Sequence, residues 1–236
     1  MIVGSGLIAR AFLPQEAALS QVCLHAAGVS NSACKDASEF QRDRDRLLQM
    51  MAASPTAMLF VYFSTCSIDD PSMQKSRYIE HKRELEALVR ERGHYLVVRL
   101  PQTAGFSPNP HTLLNYLYAR ISRSERFDLW RFAMRNVIDV EDVARVVLDL
   151  VCKENVANET INVANPRSSS MFEIVAALEQ VTKRVALYNL IDRGVVYLVD
   201  TSRIAASIQR CRTDFDESYL VRTVEKYYGQ NACLRS

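Results

Sequence analysis

Several features that identify particular classes of protein are absent from the sequence, and each absence excludes the corresponding class. Its six cysteines form no C-x-x-C pair and no other metal-type spacing. Neither a zinc site nor a disulfide framework is therefore expected, and reduced thiols in the cytoplasm are favoured. No apolar run is long enough to span a membrane, and the first residues lack the architecture of a signal peptide. We expect a cytoplasmic protein with no metal ion and no membrane partner.

Charge of one sign is not in excess either. The 236 residues carry a formal net charge of +2, with 24% charged and 48% hydrophobic residues. These values are ordinary for a soluble protein and give no electrostatic reason to bind nucleic acid. The length allows a substantial core, as one domain or as a domain with a small lobe.

The most informative stretch lies near the middle of the first half. An apolar, aromatic-rich run from Met58 to Phe63 predicts a strand buried on both faces, and the hydroxyls of Ser64 and Thr65 follow it. A helical pattern after a polar loop carries Tyr78 and Lys82, which share one face. An ammonium beside a phenol favours the phenolate, so we expect a lowered Tyr78 pKa and a usable proton shuttle. Such a pair alone is a weak signal, since Tyr and Lys are common on exposed helix faces.

A glycine-containing turn opens the chain. The residues MIVGSGLIA predict a short strand and then a helix, and the segment from Gly4 to Ala9 fits the dinucleotide pattern G-x-G-x-x-A. The glycines permit a tight turn and let backbone N–H groups approach a pyrophosphate at the positive end of the helix. Its position upstream of the Tyr/Lys helix strengthens this interpretation.

Together these segments resemble the short-chain dehydrogenase/reductase superfamily, specifically its extended branch of nucleotide-sugar epimerases, dehydratases and reductases. The resemblance covers nearly the whole chain, and Thr65, Tyr78 and Lys82 fall on that family's catalytic Ser/Thr, Tyr and Lys. It implies an α/β fold with a Rossmann-like parallel sheet and a small C-terminal α/β substrate lobe. It also implies NAD or NADP as cofactor, a nucleotide sugar as substrate, and a homodimer formed through the helices flanking the sheet.

The cofactor side of the expected sheet is incomplete. The segment from Val22 to Gly28 resembles the family's fourth strand, and we expect His25 within it to be packed rather than catalytic. No room remains before Val22 for the usual second and third strands, so the sheet should be shortened by about two strands. The usual carboxylate for the adenosine ribose is missing too, because Glu16 is the one acidic residue between Ala9 and Val22.

The resemblance assigns further site residues. Those expected to contact the cofactor are Gly4, Ser5, Gly6, Leu7, Ile8, Ala26, Ala27, Gly28, Ser64, Tyr78, Lys82 and Pro101. Those expected to contact the substrate are Cys66, Gln102, Asn109, His111 and Arg135. A guanidinium pairs with phosphate oxygens in bidentate fashion, which favours Arg135 as a diphosphate contact, although a surface salt bridge is the alternative. Asn109 and His111 could instead cap a helix, and Pro101 could simply end a strand.

The resemblance also assigns residues 1–105 and 136–165 to the dinucleotide-binding core, and 106–135 and 166–236 to the substrate lobe. We predict helices over 35–53, 109–122 and 171–183 and two more within 201–228. We also predict a buried strand that runs into a loop over 94–105, a strand over 160–164, and two strand-like runs within 185–200. In the first of these helices, the alternating charges of residues 42–46 predict a solvated face. Asp139 and Asp142 have the spacing of an N-cap and its reciprocal partner.

The reaction itself is less constrained. The family's 4,6-dehydratases carry an Asp-Glu pair just after the catalytic Thr, and Cys66 and Ser67 stand there instead. Neither residue suits the acid and base work of eliminating water, which argues for epimerisation or keto-sugar reduction. A non-catalytic nucleotide-binding scaffold or redox sensor that kept the fold is the alternative.

Overall fold

Strands and helices alternate along the chain in a computed structural model that describes residues 1–229. The strands are β1 (Ile2–Val3), β2 (Val22–His25), β3 (Leu59–Thr65), β4 (Tyr95–Leu100), β5 (Gln102–Ala104), β6 (Phe127–Trp130), β7 (Met134–Arg135), β8 (Val137–Asp139), β9 (Glu159–Asn162), β10 (Ser169–Ser170) and β11 (Tyr188–Ile191). The helices are α1 (Leu7–Phe12), α2 (Ala37–Ala53), α3 (Arg77–Arg92), α4 (Leu113–Ser122), α5 (Val140–Cys152), α6 (Met171–Thr182), α7 (Ala205–Cys211) and α8 (Tyr219–Tyr228). Short 3-10 helices occupy Leu13–Leu19, Cys66–Asp69, Pro71–Met73 and Ser202–Ile204.

A five-stranded sheet in the order β1-β2-β3-β4-β9 forms the centre of the molecule, and all its pairings are parallel. Every residue of β3 is buried, because helices cover both faces of this central strand. The expected α/β fold with a parallel sheet is confirmed. β1 lies at the edge beside β2, and α1 and the 3-10 helix Leu13–Leu19 connect the two strands, so the predicted loss of two strands is confirmed as well.

Two apolar clusters hold the helices on the sheet. On one face, α2 and α3 pack against the sheet through Leu47, Leu85 and Val89. On the other face, α1 and α5 pack through Phe12 and a stripe of valines and leucines. None of the helices in the described part of the chain is both long and apolar enough to cross a bilayer.

A third cluster builds a smaller C-terminal unit. It joins α4, α6 and α8 with the strand pairs β6–β11 and β5–β8. Its largest fully buried side chains include Leu117, Ile121 and Leu129. The unit begins where the chain leaves β4, so it lies beside the carboxyl ends of the central strands.

Asp139 connects this smaller unit to the core. It is the N-cap of α5 and accepts a hydrogen bond from the Glu141 amide at 2.8 Å. Its carboxylate also accepts bonds from Tyr227 at 2.6 Å and Lys226 at 2.7 Å, both on α8. The predicted N-cap is confirmed. The reciprocal partner is not Asp142, because the Asp139 amide donates to the Tyr219 hydroxyl, which in turn donates to Asp142.

Three other expectations on local structure were wrong. Asp43 lies in the alternating charge run but is buried, because Phe40, Asp43 and Leu47 fall on the same helix face. The helix expected from Asn109 begins at Leu113, since Pro110 restricts the residue before it. Within 185–200 there is one strand, β11, and the following segment is irregular.

The first turn gives a matched test of backbone geometry. Gly4 has φ +125°, and a Cβ there would lie 2.5 Å from the Ala26 carbonyl oxygen. Gly6 has φ −77°, and a Cβ there would have nothing within 4 Å. We expect Gly4→Ala to lower the free energy of unfolding by about 1–3 kcal/mol or more, because it forces a residue with a side chain into a strained backbone region. Gly6→Ala should cost much less. Urea unfolding followed by circular dichroism measures both, and equal midpoints would contradict the strain.

Candidate functional site

A cavity of about 450 Å³ opens where the central strands β1 to β4 end. In open parallel sheets, ligands bind outside the carboxyl ends of the strands. Of the residues predicted from the sequence, those on the cavity wall are Ser5, Gly6, Leu7, Ile8, Ala26, Gly28, Ser64, Thr65, Tyr78, Lys82, Pro101, Gln102, Asn109 and His111. The fold therefore brings the glycine turn, the end of β3 and the Tyr/Lys face of α3 to one space.

Four predicted residues do not line this cavity. Gly4 and Ala27 lie in the turns behind it, and Gly4 packs against Ala26. Cys66 is 1% exposed, and its thiol donates to the Arg99 carbonyl at 3.4 Å. Arg135 lies on β7 and donates to the carbonyl of its own neighbour Met134 at 2.8 Å. Contacts of these residues with a ligand stay predictions.

The wall also contains residues that the sequence reasoning did not select. They are Arg10, Val29, Ser30, Ser32, Phe63, Ser67, Leu100, Thr103, Ser107, Pro108 and Thr112. Most flank a predicted residue, so the neighbourhood was identified but not the individual side chains. The loop hydroxyls have no periodic pattern from which to assign them.

Asn109 joins two loops across the mouth of the cavity. Its side-chain amide donates to the Ser30 hydroxyl at 3.0 Å, and its side-chain oxygen accepts from the His111 amide at 3.0 Å. The N-cap of α4 is Thr112. Asn109 and His111 therefore do not cap this helix and are held together in a turn that faces the cavity.

Tyr78 does not have the low pKa expected from its neighbour. Its side chain is buried, and burial raises the pKa of the phenol well above its usual value. The nearby Thr65 hydroxyl opposes this shift, and the negative charge of Asp43 adds to it. The expectation that Lys82 lowers the Tyr78 pKa was wrong for this state, because desolvation of the phenolate is the larger effect.

Lys82 donates its hydrogen bond to Tyr62 and not to Tyr78. Its ammonium lies 5.9 Å from the centre of the Tyr78 ring and donates to the Tyr62 hydroxyl at 3.2 Å. It also lies 3.8 Å from Asp43 Oδ2. Burial lowers the pKa of Lys82, whereas the carboxylates of Asp43 and Glu86 raise it. The ammonium of Lys82, in the wall of the cavity, therefore has a counterion, Asp43.

An ion pair fixes α3 on the sheet below these residues. Glu86 is 1% exposed and accepts two hydrogen bonds, at 2.9 and 2.8 Å, from the guanidinium of Arg99 on β4. Burial alone would raise the Glu86 pKa, but Arg99 and Arg90 lower it, so the carboxylate stays ionised. A bidentate pair defines orientation as well as distance, and it sets the height of α3 above the end of β4.

His25 lies beneath the site, packed as expected. It is 1% exposed and stacks 6.1 Å from the Phe60 ring and 6.2 Å from the Tyr62 ring. Neither ring nitrogen has a hydrogen-bond partner in the described part of the chain. Burial lowers its pKa to about 4, Asp43 opposes this shift, and the positive charge of Lys82 adds to it. The imidazole is neutral at pH 7.

Comparison with known proteins identifies the fold. The chain superposes on UDP-glucuronic acid 4-epimerase from Bacillus cereus with a TM-score of 0.72, covering 95% of this chain and 78% of that chain at 18% identity. dTDP-glucose 4,6-dehydratase from Bacillus anthracis gives a TM-score of 0.70, covering 96% and 79% at 14% identity. The chain has the fold of nucleotide-sugar epimerases and dehydratases. UDP-glucose 4-epimerase from Thermus thermophilus agrees, with a TM-score of 0.69 over 94% and 81% at 14% identity.

Those three structures contain NAD, and the first also contains UDP-glucuronic acid. No protein-family model matches this sequence, and no curated protein sequence matches it. The similarity to these proteins therefore lies in the three-dimensional structure. At sequence identities of 14% to 18% it establishes the fold.

The buried neutral His25 should make stability depend on pH. The unfolded chain protonates this histidine near pH 6.5, whereas the folded protein resists protonation down to about pH 4. Stability is therefore fully present above pH 6.5 and falls as pH drops toward 4, by up to about 3 kcal/mol. We expect His25→Leu to lose this part of the acid dependence. Urea unfolding between pH 4 and 7 measures it, and parallel curves for both proteins would contradict the assignment.

Proposed function

We propose that the chain is an NAD(P)-dependent oxidoreductase of nucleotide-activated sugars, acting as an epimerase or a keto-sugar reductase in the extended short-chain dehydrogenase/reductase family. One observation carries the proposal: Thr65, Tyr78 and Lys82 line a single cavity at the carboxyl end of the sheet. The fold shared with nucleotide-sugar enzymes supports it. A homodimer through the helices that flank the sheet remains part of the proposal.

The residues present fit a nicotinamide cofactor. A Cβ at Gly28 would lie 2.9 Å from the Lys82 ammonium, so glycine keeps the wall open above the lysine. Gly6 on the opposite wall presents bare backbone to the cavity. The volume of about 450 Å³ lies within the usual range for ligand pockets. Ser5 and Gly6 would hold the pyrophosphate, and Lys82 would hold the ribose next to the nicotinamide.

A bound NAD or NADP would supply the acceptor or donor of a hydride. Tyr78 would transfer the proton at its hydroxyl oxygen, to a sugar keto oxygen or from a sugar hydroxyl. Thr65 would orient the same sugar oxygen, since it already lies against Tyr78. Because burial raises the pKa of Tyr78, the phenol is protonated at neutral pH and ready to donate. A protonated phenol favours reduction of a keto sugar over oxidation of a sugar hydroxyl.

The residues after Thr65 favour epimerisation or reduction over dehydration. Burial raises the pKa of the Cys66 thiol well above its usual value, and the thiol is bonded to the Arg99 carbonyl. A thiol in that state is a poor acid and a poor base for the elimination of water. The Ser67 hydroxyl is a poor acid and a poor base at neutral pH.

A nucleotide-binding protein without catalysis is the second candidate. The observation that favours it is the position of β1 at the sheet edge, without the two strands that usually support the adenosine. Such a protein would bind a nucleotide and show no hydride transfer with any sugar. A screen of nucleotide sugars and their 4-keto derivatives with either nicotinamide cofactor, read by product analysis, separates the two candidates.

Replacing Tyr78 by phenylalanine tests the mechanism. Tyr78→Phe keeps the ring in its packing and removes the proton shuttle, so turnover should fall by about 10²–10⁴-fold. Tyr116→Phe is the matched control, because Tyr116 is exposed and does not line the cavity. Steady-state kinetics on the substrate found in the screen measure both. Near-native turnover by a folded Tyr78→Phe protein would refute the assignment.

Because the sheet lacks two strands on its cofactor side, we expect the protein to discriminate little between NAD and NADP. A carboxylate after the second strand normally binds the adenosine ribose and disfavours a 2′-phosphate. In the described segment between β1 and β2 that strand is absent, and Glu16 comes too early to supply the carboxylate. A lost hydrogen bond to a charged group costs about 1–3 kcal/mol. We expect weak binding of both cofactors with similar affinity, unless a partner subunit or a basic residue such as Arg10 at the cavity wall supplies the missing contact.

Titration calorimetry with NAD and NADP measures this preference directly. Dissociation constants within about tenfold of each other agree with this expectation. A preference of about a hundredfold or more, which is about 2.7 kcal/mol, would contradict it and indicate a ribose site elsewhere.

A further inference from the structure

A buried carboxylate on α2 contacts two elements that contribute to the cavity wall, α3 and the loop after β2. Asp43 on α2 is 3% exposed, and its Oδ2 accepts a hydrogen bond from His81 Nε2 at 2.9 Å. The same oxygen lies 3.8 Å from the Lys82 ammonium and accepts from the Val29 amide at 3.1 Å. His81 and Lys82 belong to α3, and Val29 belongs to the loop after β2. One side chain of α2 therefore connects this helix to α3, through His81 and Lys82, and to the loop at Val29.

The charge of Asp43 is maintained by these contacts. Burial alone would raise the pKa of the carboxyl, but the His81 hydrogen bond, the Lys82 charge and the Val29 amide together bring the pKa below its usual value. Asp43 is therefore ionised at neutral pH. A buried carboxylate without such partners would instead become protonated, so the ionised state depends on this arrangement.

Asp43 is also the carboxylate best placed to balance Lys82. The titratable groups that face the lysine are His25 from β2, Asp43 from α2, Tyr62 from β3, and Tyr78, His81 and Glu86 from α3. Of the two carboxylates, Glu86 is engaged by Arg99 at 2.8 Å and by Arg90 at 3.1 Å. Asp43 is the one within ion-pair distance of Lys82.

We propose that Asp43 is a positioning residue, which holds Lys82 as an ammonium in the cavity wall and fastens the loop at Val29 above it. Its relevance to cofactor binding rests on the proposed function. The sequence gives no direct sign of this role, because Asp43 stands within a run of alternating charges. Its carboxylate is not on the cavity wall, so it acts through Lys82 and the loop and contacts no reacting atom.

The ionisation of Lys82 is the direct readout. The chain has six lysines, so their ¹³Cε signals can be followed by NMR after selective labelling, and Lys82→Met identifies the Lys82 signal. We expect Asp43→Asn to lower the titration midpoint of Lys82 by about 1–3 pH units, since an opposite charge near ion-pair distance is lost. Asp45→Asn is the matched control, because Asp45 is exposed on the same helix and bonds Gln41. An unchanged Lys82 midpoint in folded Asp43→Asn would overturn the proposal.

The reciprocal measurement keeps the test decisive if Asp43→Asn does not fold. In Lys82→Met the carboxyl of Asp43 loses the positive charge that lowers its pKa, so its ¹³Cγ titration midpoint should rise. An Asp43 midpoint equal to that of the wild type would overturn the proposal by itself.

Activity then separates this proposal from the proposed function. If the wild type transfers hydride, the loss of activity at high pH should move to lower pH in Asp43→Asn by the same amount as the Lys82 midpoint. A profile that does not move would overturn the positioning role. A wild type with no hydride transfer would refute the proposed function, whereas the lysine titration would still decide whether Asp43 holds the ammonium.

Discussion

The arrangement of the site depends on the buried ion pair between Glu86 and Arg99. Glu86 lies four residues after Lys82 and eight after Tyr78, so the three side chains share one face of α3. With Glu86 fixed to β4 by two hydrogen bonds, the face turns toward the end of β3 and the cavity. Removing Arg99 would leave the buried Glu86 carboxylate with Arg90 as its charged partner, and removing Glu86 would leave the partly buried Arg99 with Asp69, so in either case α3 would lose its bidentate link to β4. The pair therefore sets both the rotation of the helix and the position of the phenol.

Elements with a clear hydrophobic pattern were predictable from the sequence, because the pattern itself shows which of their residues are buried. The run Met58 to Phe63 is apolar at every position and can only be a strand covered on both faces, as β3 is. The missing strands were also predictable, since a segment this short cannot contain them. The segment after β11 was not, because alternating apolar residues such as Val196 and Leu198 are exposed and find no neighbouring strand.

The site was predictable in its outline and not in its electrostatics. Positions that follow from strand ends and helix spacing, such as Thr65 and Lys82, lie on the cavity wall. The alternating charges predict that Asp43 faces solvent, whereas its spacing of four residues from Leu47 places it on the buried face of α2, where it lies. The predicted shift of the Tyr78 pKa had the wrong direction for a related reason. The helical spacing of Tyr78 and Lys82 shows that the two residues share a face, whereas the desolvation of the phenol depends on every residue that packs around it.

Asp139 limits how the two parts of the molecule can move. The same carboxylate caps α5 in the core and accepts hydrogen bonds from Tyr227 and Lys226 of the smaller unit. A hinge rotation that separated α8 from α5 would break those bonds and disturb a helix cap at the same time. Closure around a bound molecule is then left to the loops at the mouth, where Asn109 and Ser30 already meet. A rearrangement of those loops would leave the bonds of Asp139 to both units intact.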